Sequence, residues 1–294
     1  MKIGITGVTG LIGRRVAALA REHGHEVIGF SRNPMHGGAE WRRFSTDEPP
    51  DIAGCDAILN LAGQSVVGLW TPARRRAIRE SRVLGAQRIV EAINRASRPP
   101  RVLVNGSAIG IYRDMGDVAT DETGQHGSGF LAQVCEAWES EAVQARKSGV
   151  RVVLLRTGMV LAREGGALAA MLPAFRWGLG GNLGSGRQWV SWIHVKDEAA
   201  LVLAALENNS IDGPVNAVAP TPVRNADFTR ALAATLRRPA IFRVPAFVLH
   251  AAAGGFAAEL LESRRIVPAA AANAGFAFQF PVLQDALADL LNAG

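Results

Sequence analysis

The sequence predicts an α/β protein built on a doubly wound parallel sheet, followed by a smaller, mostly helical region. Short apolar runs alternate with longer segments of helical periodicity, which is typical of parallel βαβ units. The first run, 2–6, ends in a glycine-rich turn that leads directly into a helix. The chain has 294 residues, of which 48% are hydrophobic, and this is enough to bury such a core.

The first half of the chain gives the clearer succession of elements. Apolar runs predict the strands, and helical spacing between capping signals predicts the helices. Thr71 is a suitable N-cap because Pro72 follows it at the first helical position. The predicted strands are 2–6, 25–30, 41–44, 56–63, 101–108 and 151–158, and the predicted helices are 11–24, 72–97 and 129–147.

Beyond residue 158 the pattern is looser. The glycine-rich stretch 178–186 is too irregular for an element, whereas 189–195 and 213–219 are typical of short strands. Helical spacing occurs in 196–208, 225–237, 245–262 and 282–292. We therefore predict a nucleotide-binding domain over 1–160 and a C-terminal substrate region over 161–294, which retains some elements of the sheet.

Composition narrows the classes of partner. The net charge of +6 comes almost wholly from arginines spread along the chain, which favours solvated helix faces over a nucleic-acid surface. The two cysteines, Cys55 and Cys135, lie far apart without the spacing of a metal site, so we expect no metal and a reduced, cytoplasmic protein. The chain contains no apolar stretch of 18 residues, so no membrane partner is expected.

The turn after the first strand carries glycines at positions 7, 10 and 13. Gly7 allows a sharp turn, Gly10 lets the backbone approach a pyrophosphate, and Gly13 lets helix and strand pack closely. The helix N-terminus then offers free amide groups to phosphates. A purely structural turn is the alternative, but the order of strand, glycines and helix favours a Rossmann-type dinucleotide site.

The end of the second strand indicates which dinucleotide is bound. An NAD enzyme places an acidic residue about twenty residues after the glycine loop, to bind the ribose 2′-hydroxyl. Ser31 occupies that place here, and Arg32 follows it. Because serine and arginine can bind a 2′-phosphate that an aspartate would repel, we predict NADP(H). The alternative is that Arg32 only extends into solvent.

Several further motifs connect the chain with a known family. The stretches "TGVTGLIG", "SRNP", "NLAG", "SAIGIY", "RTGMVL" and "GSGRQWVSWIH" resemble those of extended short-chain dehydrogenases. The chain is most similar to the atypical branch described as nucleoside-diphosphate-sugar epimerases, which carries a C-terminal segment of unknown function, here about 240–290. The resemblance covers essentially the whole chain, and the "WIH" and C-terminal motifs are the most specific to this branch.

The resemblance implies a set of dinucleotide contacts on the carboxyl edge of the sheet. They come from the glycine loop, the end of the second strand, the turn after the fourth strand, the following helix and the turn after the sixth strand. The residues are Gly7, Thr9, Gly10, Leu11, Ile12, Gly13, Ser31, Arg32, Leu61, Ala62, Gly63, Arg82 and Val160.

Members of that superfamily use a Ser or Thr, a Tyr and a Lys for chemistry, and this chain departs from the pattern. Ser107 fits the first role, which is to polarise the substrate oxygen. In the helix expected to carry the other two, Leu131 and Cys135 occupy their places. Both are expected to be core residues, so the usual acid–base pair is missing.

Tyr112 is the only tyrosine in the chain, and it follows Ser107 on the loop that leaves the fifth strand. It is therefore the candidate for supplying or relaying a proton. Without a nearby lysine its pKa is expected to stay near ten, which makes it a poor base at neutral pH. The alternative is that Tyr112 only shapes the substrate pocket.

The segment "GSGRQWVSWIH" supplies the candidate substrate pocket, formed by Arg187, Trp192 and His194. His194 is either an acid–base group or a structural residue whose ring nitrogen binds backbone. Related epimerases place an Arg–Asp pair where Val190 and Ser191 stand here. Losing that arginine argues against a nucleotide-sugar substrate, unless Arg187 replaces it.

Three functions are consistent with these residues. The first is an NADP(H)-dependent oxidoreductase acting on a small carbonyl or alcohol, in which Ser107 orients the oxygen and Tyr112 handles the proton. The second is a regulatory protein that senses NADP(H), of the kind that the resemblance links to cell-division control. The third is a nucleotide-sugar epimerase. The substrate is not identified by the sequence, and a protein partner or a homodimer remains open.

Overall fold

The computed structural model describes residues 1–33 and 40–292, without the side chains of 252 and 253. Its central element is a seven-stranded parallel sheet, which confirms the predicted fold class. The described strands, in chain order, are β1 (Lys2–Thr6), β2 (Glu26–Ser31), β3 (Glu40–Arg43), β4 (Ala57–Asn60), β5 (Val102–Ala108), β6 (Arg151–Thr157), β7 (Met159–Leu161), β8 (Gly181–Leu183), β9 (Trp189–Val190), β10 (Trp192–His194), β11 (Gly213–Ala217), β12 (Val223–Arg224) and β13 (Phe242–Val244).

The described α-helices surround this sheet and build the C-terminal region. Two 3₁₀ turns, Ile109–Ile111 and Val143–Ser148, accompany them. The helices are α1 (Leu11–Glu22), α2 (Pro72–Arg95), α3 (Phe130–Ala142), α4 (Gly166–Arg176), α5 (Val195–Glu207), α6 (Asn225–Leu236), α7 (Ala246–Ala253), α8 (Phe256–Leu261), α9 (Ala269–Asn273) and α10 (Leu283–Asn292).

The strand order of the sheet is β3-β2-β1-β4-β5-β6-β11, with every pairing parallel. In this order the chain reverses direction across the sheet between β1 and β4, and ligands bind in the crevice at such a switch point. The carboxyl ends of β1, β4 and β5 therefore meet at one edge. The candidate site lies there.

The two faces of the sheet are covered by different helices. On β1, Ile3 and Ile5 face a core shared with α1 and α5, whereas on the neighbouring β4, Ile58 faces the core shared with α2. Alternate residues of β5 divide in the same way, Val102 and Val104 to one face and Leu103 to the other. This alternation is the two-residue period of a strand buried on both faces.

The C-terminal region has a separate apolar core, formed by α4, α6 and α10 around Trp192. It is joined to the main sheet by α5 and by β11, which forms an edge of that sheet. Within the described residues, no helix is both long and apolar enough to cross a bilayer.

Three details differ from the sequence predictions. The stretch 178–186, expected to lack an element, contains β8, which pairs with β13 from far along the chain. The single strand expected over 189–195 is two strands in different sheets, β9 and β10. The helix expected over 245–262 is interrupted at Gly254, whose φ of +56° ends α7 before α8 begins.

Candidate functional site

The glycine loop has the tight geometry that its spacing predicts. Gly7 has φ of +67°, and a Cβ at this residue would lie 2.8 Å from the carbonyl carbon of Leu61. A Cβ on Gly13 would lie 2.3 Å from the carbonyl oxygen of Gly7. Gly10 is the N-cap of α1, and its amide donates to Gly7 across the turn at 2.9 Å. Side chains at Gly7 or Gly13 would thus force the loop open, and α1 begins at an exposed Gly10 that has no side-chain cap.

A ladder of buried polar side chains fixes the turn beside this loop. Thr6 Oγ1 donates to Asn60 Oδ1 at 2.7 Å, and Asn60 Nδ2 donates to Asn105 Oδ1 at 2.7 Å. Thr6 Oγ1 also accepts from the amides of Leu61 and Ala62, each at 3.1 Å. The ladder therefore ties the carboxyl ends of β1, β4 and β5 together and holds the Leu61–Ala62 backbone where the resemblance places the cofactor.

Sequence reasoning missed this ladder. It assigned no role to Thr6, Asn60 or Asn105, although Asn60 and Asn105 are buried in the sheet. A buried amide needs hydrogen-bond partners, so two of them on adjacent strands were a signal that could have been used. The missing step was the register that places Asn60 opposite Asn105.

The predicted selectivity residues lie where β2 leaves the sheet. Ser31 is the last residue of β2, and its Oγ accepts from the amide of Asn33 at 3.3 Å. Arg32 follows with an exposed side chain. An exposed guanidinium beside a serine hydroxyl at the carboxyl edge fits the predicted 2′-phosphate contact.

Arg82 turns from α2 toward the turn after β4. One terminal nitrogen donates to the carbonyl of Gln64 at 2.9 Å and to that of Ile78 at 3.2 Å. Its guanidinium lies 5.3 Å from the ring centre of Trp138, and a Cβ on Gly63 would meet it at 3.0 Å. Burial lowers the pKa of Arg82, and no carboxylate within the described ranges forms an ion pair with it. Such a cation at this edge is suited to an anionic or hydroxyl-rich ligand.

Ser107 is buried at the carboxyl end of β5. Its hydroxyl donates to Glu139 Oε1 of α3 at 2.6 Å. Arg156, at the end of β6, holds the same carboxylate with two bonds, Nε to Oε1 at 2.9 Å and a terminal nitrogen to Oε2 at 2.8 Å. Because its proton is directed at Glu139, the Ser107 oxygen is left to accept a hydrogen bond from another group.

Tyr112 completes this network rather than standing in the cleft. Its side chain has no exposed surface, and its hydroxyl donates to Asn216 Oδ1 at 2.7 Å while accepting from Arg156 at 2.8 Å. Burial raises the pKa of Tyr112 to about 12, against the opposing charge of Arg156, whereas the sequence predicted a value near ten. This placement favours a structural role and gives no support to proton transfer by Tyr112.

The two helix positions that usually hold the catalytic Tyr and Lys are apolar in structure as in sequence. Cys135 is buried beside Ser107 and Arg82, and burial raises the pKa of its thiol to about 11. Leu131 packs toward Gly110, on the loop that leaves β5. Neither residue offers an acid or base near neutral pH.

The residues predicted to form the substrate pocket have different surroundings from one another. Trp192 is fully buried in the C-terminal core, where its Nε1 donates to the carbonyl of Thr221 at 3.0 Å. Arg187 is exposed, and its carbonyl accepts from Arg224. The burial of Trp192 and the backbone contacts of the two residues do not indicate that Arg187 and Trp192 line one pocket.

His194 has the structural role that was its alternative. It is fully buried, and its Nδ1 accepts from the amide of Lys196 at 3.0 Å, which caps α5. Its Nε2 lies 3.2 Å from Asp289 of α10, and its ring stacks on Phe280 with centres 4.0 Å apart. Burial lowers the pKa of His194 to about 4, so the imidazole is neutral at physiological pH.

The C-terminal segment covers the loop that carries Tyr112. Arg264 donates from Nε to the Tyr112 carbonyl at 2.8 Å and pairs with Glu259 of α8 at 3.0 Å. At the start of α8, the centre of the Phe256 ring lies 6.0 Å from that of Trp70. Sequence reasoning assigned no site residue to this segment, because its contacts join parts of the chain that are distant in sequence.

The described residues hold no cluster of three or more His, Cys, Asp or Glu arranged to bind a metal. A glycine loop of this geometry at the switch point, with the polar ladder beside it, instead defines a dinucleotide-binding Rossmann protein of the short-chain dehydrogenase type. The chain belongs to the NAD dependent epimerase/dehydratase family, whose profile matches residues 3–218. Residues 244–290 match a domain of unknown function, DUF1731.

Individual relatives agree with this assignment. An epimerase family protein of Mycobacterium leprae is 38% identical over 97% of this chain and 94% of its own length. The crystal structure of human epimerase family protein SDR39U1 with NADPH is 34% identical, superposes with a TM-score of 0.94, and covers all of both chains. A nucleoside-diphosphate sugar epimerase from Corynebacterium glutamicum is 33% identical with a TM-score of 0.83, over 99% of this chain and 58% of that one.

Proposed function

We propose that this protein is an NADP(H)-dependent oxidoreductase acting on a small carbonyl or alcohol. The observation that carries the proposal is the buried hydrogen bond from Ser107 to Glu139, at the carboxyl end of β5. It puts a hydroxyl, backed by a carboxylate, at the sheet edge where ligands of this fold react. Bound NADP(H) would supply or accept the hydride.

The cofactor part of the proposal rests on three features of the binding edge. Gly7 and Gly13 leave no room for side chains, so backbone amides at the start of α1 can approach a pyrophosphate. Arg32 is exposed beside Ser31, where a 2′-phosphate would lie. The human relative was crystallised with NADPH, at 34% identity over the full chain.

In the proposed chemistry, Glu139 takes the proton-transfer role that the sequence suggested for Tyr112. In the oxidative direction, Ser107 Oγ accepts the proton of a substrate hydroxyl while its own proton moves to Glu139. The substrate carbon would lose its hydride to bound NADP⁺ and become a carbonyl carbon, and Glu139 would later release the proton to water. Reduction is the reverse. Arg156 holds the carboxylate in place, and Tyr112 positions Arg156.

The test of this chemistry is turnover of NADPH or NADP⁺ across a panel of small carbonyls and alcohols, at high protein concentration. Glu139→Gln should lower turnover of any active substrate by about a hundredfold, the usual range for losing an acid–base group, with little change in NADPH affinity. Tyr112→Phe is the matched control, because it disturbs the same network without removing the carboxylate. Full activity in Glu139→Gln would overturn the assignment.

The test of the cofactor is calorimetry with NADPH and NADH. Charge-assisted contacts are worth about 1.5–3 kcal/mol each, so NADPH should bind at least about tenfold more tightly than NADH. Arg32→Ala should remove most of that preference, and Arg95→Ala, an exposed arginine at the far end of α2, should not. Equal affinities for the two cofactors in the unaltered protein would contradict the proposal.

A second candidate is a regulatory protein that senses NADP(H). It is favoured by Leu131 and Cys135, which leave the usual catalytic places apolar. In that case NADPH should bind while no member of the panel is turned over. A nucleotide-sugar epimerase is a weaker third candidate, because Val190 stands where related epimerases place the arginine that binds the substrate pyrophosphate.

A further inference from the structure

Two segments of the C-terminal region, 176–179 and 237–242, lie side by side and form what we call the arginine–tryptophan surface. A Cβ on Gly178 would lie 3.4 Å from the ring of Pro239. Immediately beyond, β8 pairs with β13, and Gly181 lies opposite Phe242. These contacts bring the two segments together although they are distant in sequence.

The apolar side chains of this surface protrude into solvent. Trp177 is 82% exposed and Ile241 is 81% exposed, and Leu179 and Phe242 are also exposed. Large side chains so fully exposed do not line a groove, because the walls of a groove would cover much of their area. A partner that accepts them must therefore let them insert into it.

The next helix, α7, also exposes apolar side chains. α7 follows β13 after a single residue, and none of its described side chains, 246–251, is buried. The Phe247 side chain, for example, is 75% exposed. A short helix of mainly apolar residues that contributes nothing to the core indicates a surface used for contact.

The charged residues of the two segments are all arginines. Arg176, Arg237 and Arg238 are exposed and, within the described ranges, form no ion pair. The surrounding sequence contains no Asp or Glu in 165–196 or in 228–258. The occupant that complements this surface is anionic, and a second copy of the same surface would be repelled.

We propose that the arginine–tryptophan surface binds peripherally to an anionic lipid bilayer. Trp177 and Ile241 insert among the lipid chains near the headgroups, while the arginines contact lipid phosphates. Protruding side chains favour a bilayer over a folded acidic protein, which would need a complementary pocket for each. The sequence predicted no membrane partner from the lack of a spanning stretch, and peripheral contact does not need such a stretch.

The experiment is cosedimentation of the full chain with vesicles of phosphatidylglycerol and phosphatidylcholine, compared with pure phosphatidylcholine vesicles. We expect binding to the anionic vesicles only, weakened by salt. Trp177→Ser with Ile241→Ser should reduce it at least tenfold. Arg176→Gln with Arg238→Gln should reduce it by roughly fivefold per arginine, the usual worth of a basic residue near such a surface.

Two matched variants control for exposed area and for charge. Val118→Ser with Val282→Ser removes exposed apolar side chains elsewhere, and Arg95→Gln with Arg98→Gln removes two exposed arginines elsewhere. Both should bind vesicles like the unaltered protein. No binding to anionic vesicles would overturn the proposal, as would equal losses in the control variants. Concentration-dependent dimers abolished by Trp177→Ser would assign the surface to a second copy instead.

Discussion

The two halves of the carboxyl edge of the sheet differ in how open their polar groups are to a ligand. Around the glycine loop, α1 begins at Gly10 without a side-chain cap and the loop leaves no room for side chains, so that a ligand can approach the start of the helix. Around the end of β5, the polar groups of Ser107, Tyr112, Glu139 and Arg156 are paired with one another and buried. The first half is built to receive a ligand, and the second holds itself together without one.

This difference shows that one scaffold can keep the cofactor edge of its family while the residues at the neighbouring strand ends change. The sheet order and the glycine loop preserve the cofactor edge of the family. The neighbouring strand ends carry an ion pair that anchors α3 to β6 instead of an exposed acid–base pair. Of this network, Ser107 lies at the carboxyl end of β5, and it is the member that the proposed oxidoreductase would use.

The largest expected effect is on the buried ion pair. Arg156→Leu removes the partner of Glu139 and leaves a buried carboxylate unpaired, which costs about 3–5 kcal/mol. Urea unfolding should show a loss of that size. Arg146→Leu is the control, because it breaks an exposed pair with Asp212 and should cost less than about 1 kcal/mol. Equal losses would mean that the network contributes no more than a surface contact.

The next effect is on the binding half. Gly13→Ala places a methyl group 2.3 Å from the Gly7 carbonyl oxygen and should weaken NADPH binding by about a hundredfold, or about 2.7 kcal/mol. Gly129→Ala, where a Cβ meets nothing within 4 Å, should leave affinity unchanged. Calorimetry measures both. An unchanged affinity in Gly13→Ala would show that the loop is a structural turn.

A smaller effect is expected for Tyr112→Phe. The substitution keeps the ring but leaves Asn216 Oδ1 without its donor and removes one of the two acceptors of an Arg156 nitrogen, at a cost of about 1–3 kcal/mol in unfolding free energy. Cofactor affinity should not change, because the hydroxyl is enclosed in the network. A loss of NADPH affinity with unchanged stability would place Tyr112 in the cleft.

The effect that is smallest per step of the measurement is a pH dependence of stability, which accumulates over several pH units. Burial raises the pKa of Glu198 from 4.5 to about 8, and one of its oxygens has no hydrogen-bond partner. The folded state therefore holds a proton that the unfolded state releases above pH 4.5, so stability falls from about pH 4.5 to about pH 8. Glu198→Gln should flatten this slope, by at most about 1.4 kcal/mol per pH unit. An unaltered slope in the variant would exclude Glu198 as its source.

The binding half was predictable from sequence because its determinants are local. The glycine loop, its strand and its helix occupy one continuous stretch, and Ser31 and Arg32 follow at a fixed interval. The second half was not predictable, because its partners are distant: Tyr112 binds Asn216 across 104 positions. Proximity along the chain suggested that Tyr112 shares the cleft with Ser107, whereas packing turns its ring into the core.

The same contrast holds for the C-terminal region. Its longer helices were anticipated from their periodicity, but β8 and β13 were not, because each is a short run whose only strong signal is the other strand. His194 was allowed a structural alternative with a ring nitrogen bound to backbone, and its Nδ1 accepts from the amide of Lys196. Its contacts with Asp289 and Phe280 depend on folding that no local pattern encodes.

The contact between His194 and Asp289 also bears on how the chain is made. On a ribosome, the residues that form β10 and α5 emerge long before α10 is synthesised. The imidazole of His194 is therefore without Asp289 until the end of synthesis. During that interval the apolar surfaces of α4 and α6 are exposed and prone to aggregation. We expect nascent chains stalled before residue 283 to be bound by chaperones, even when the sheet is complete.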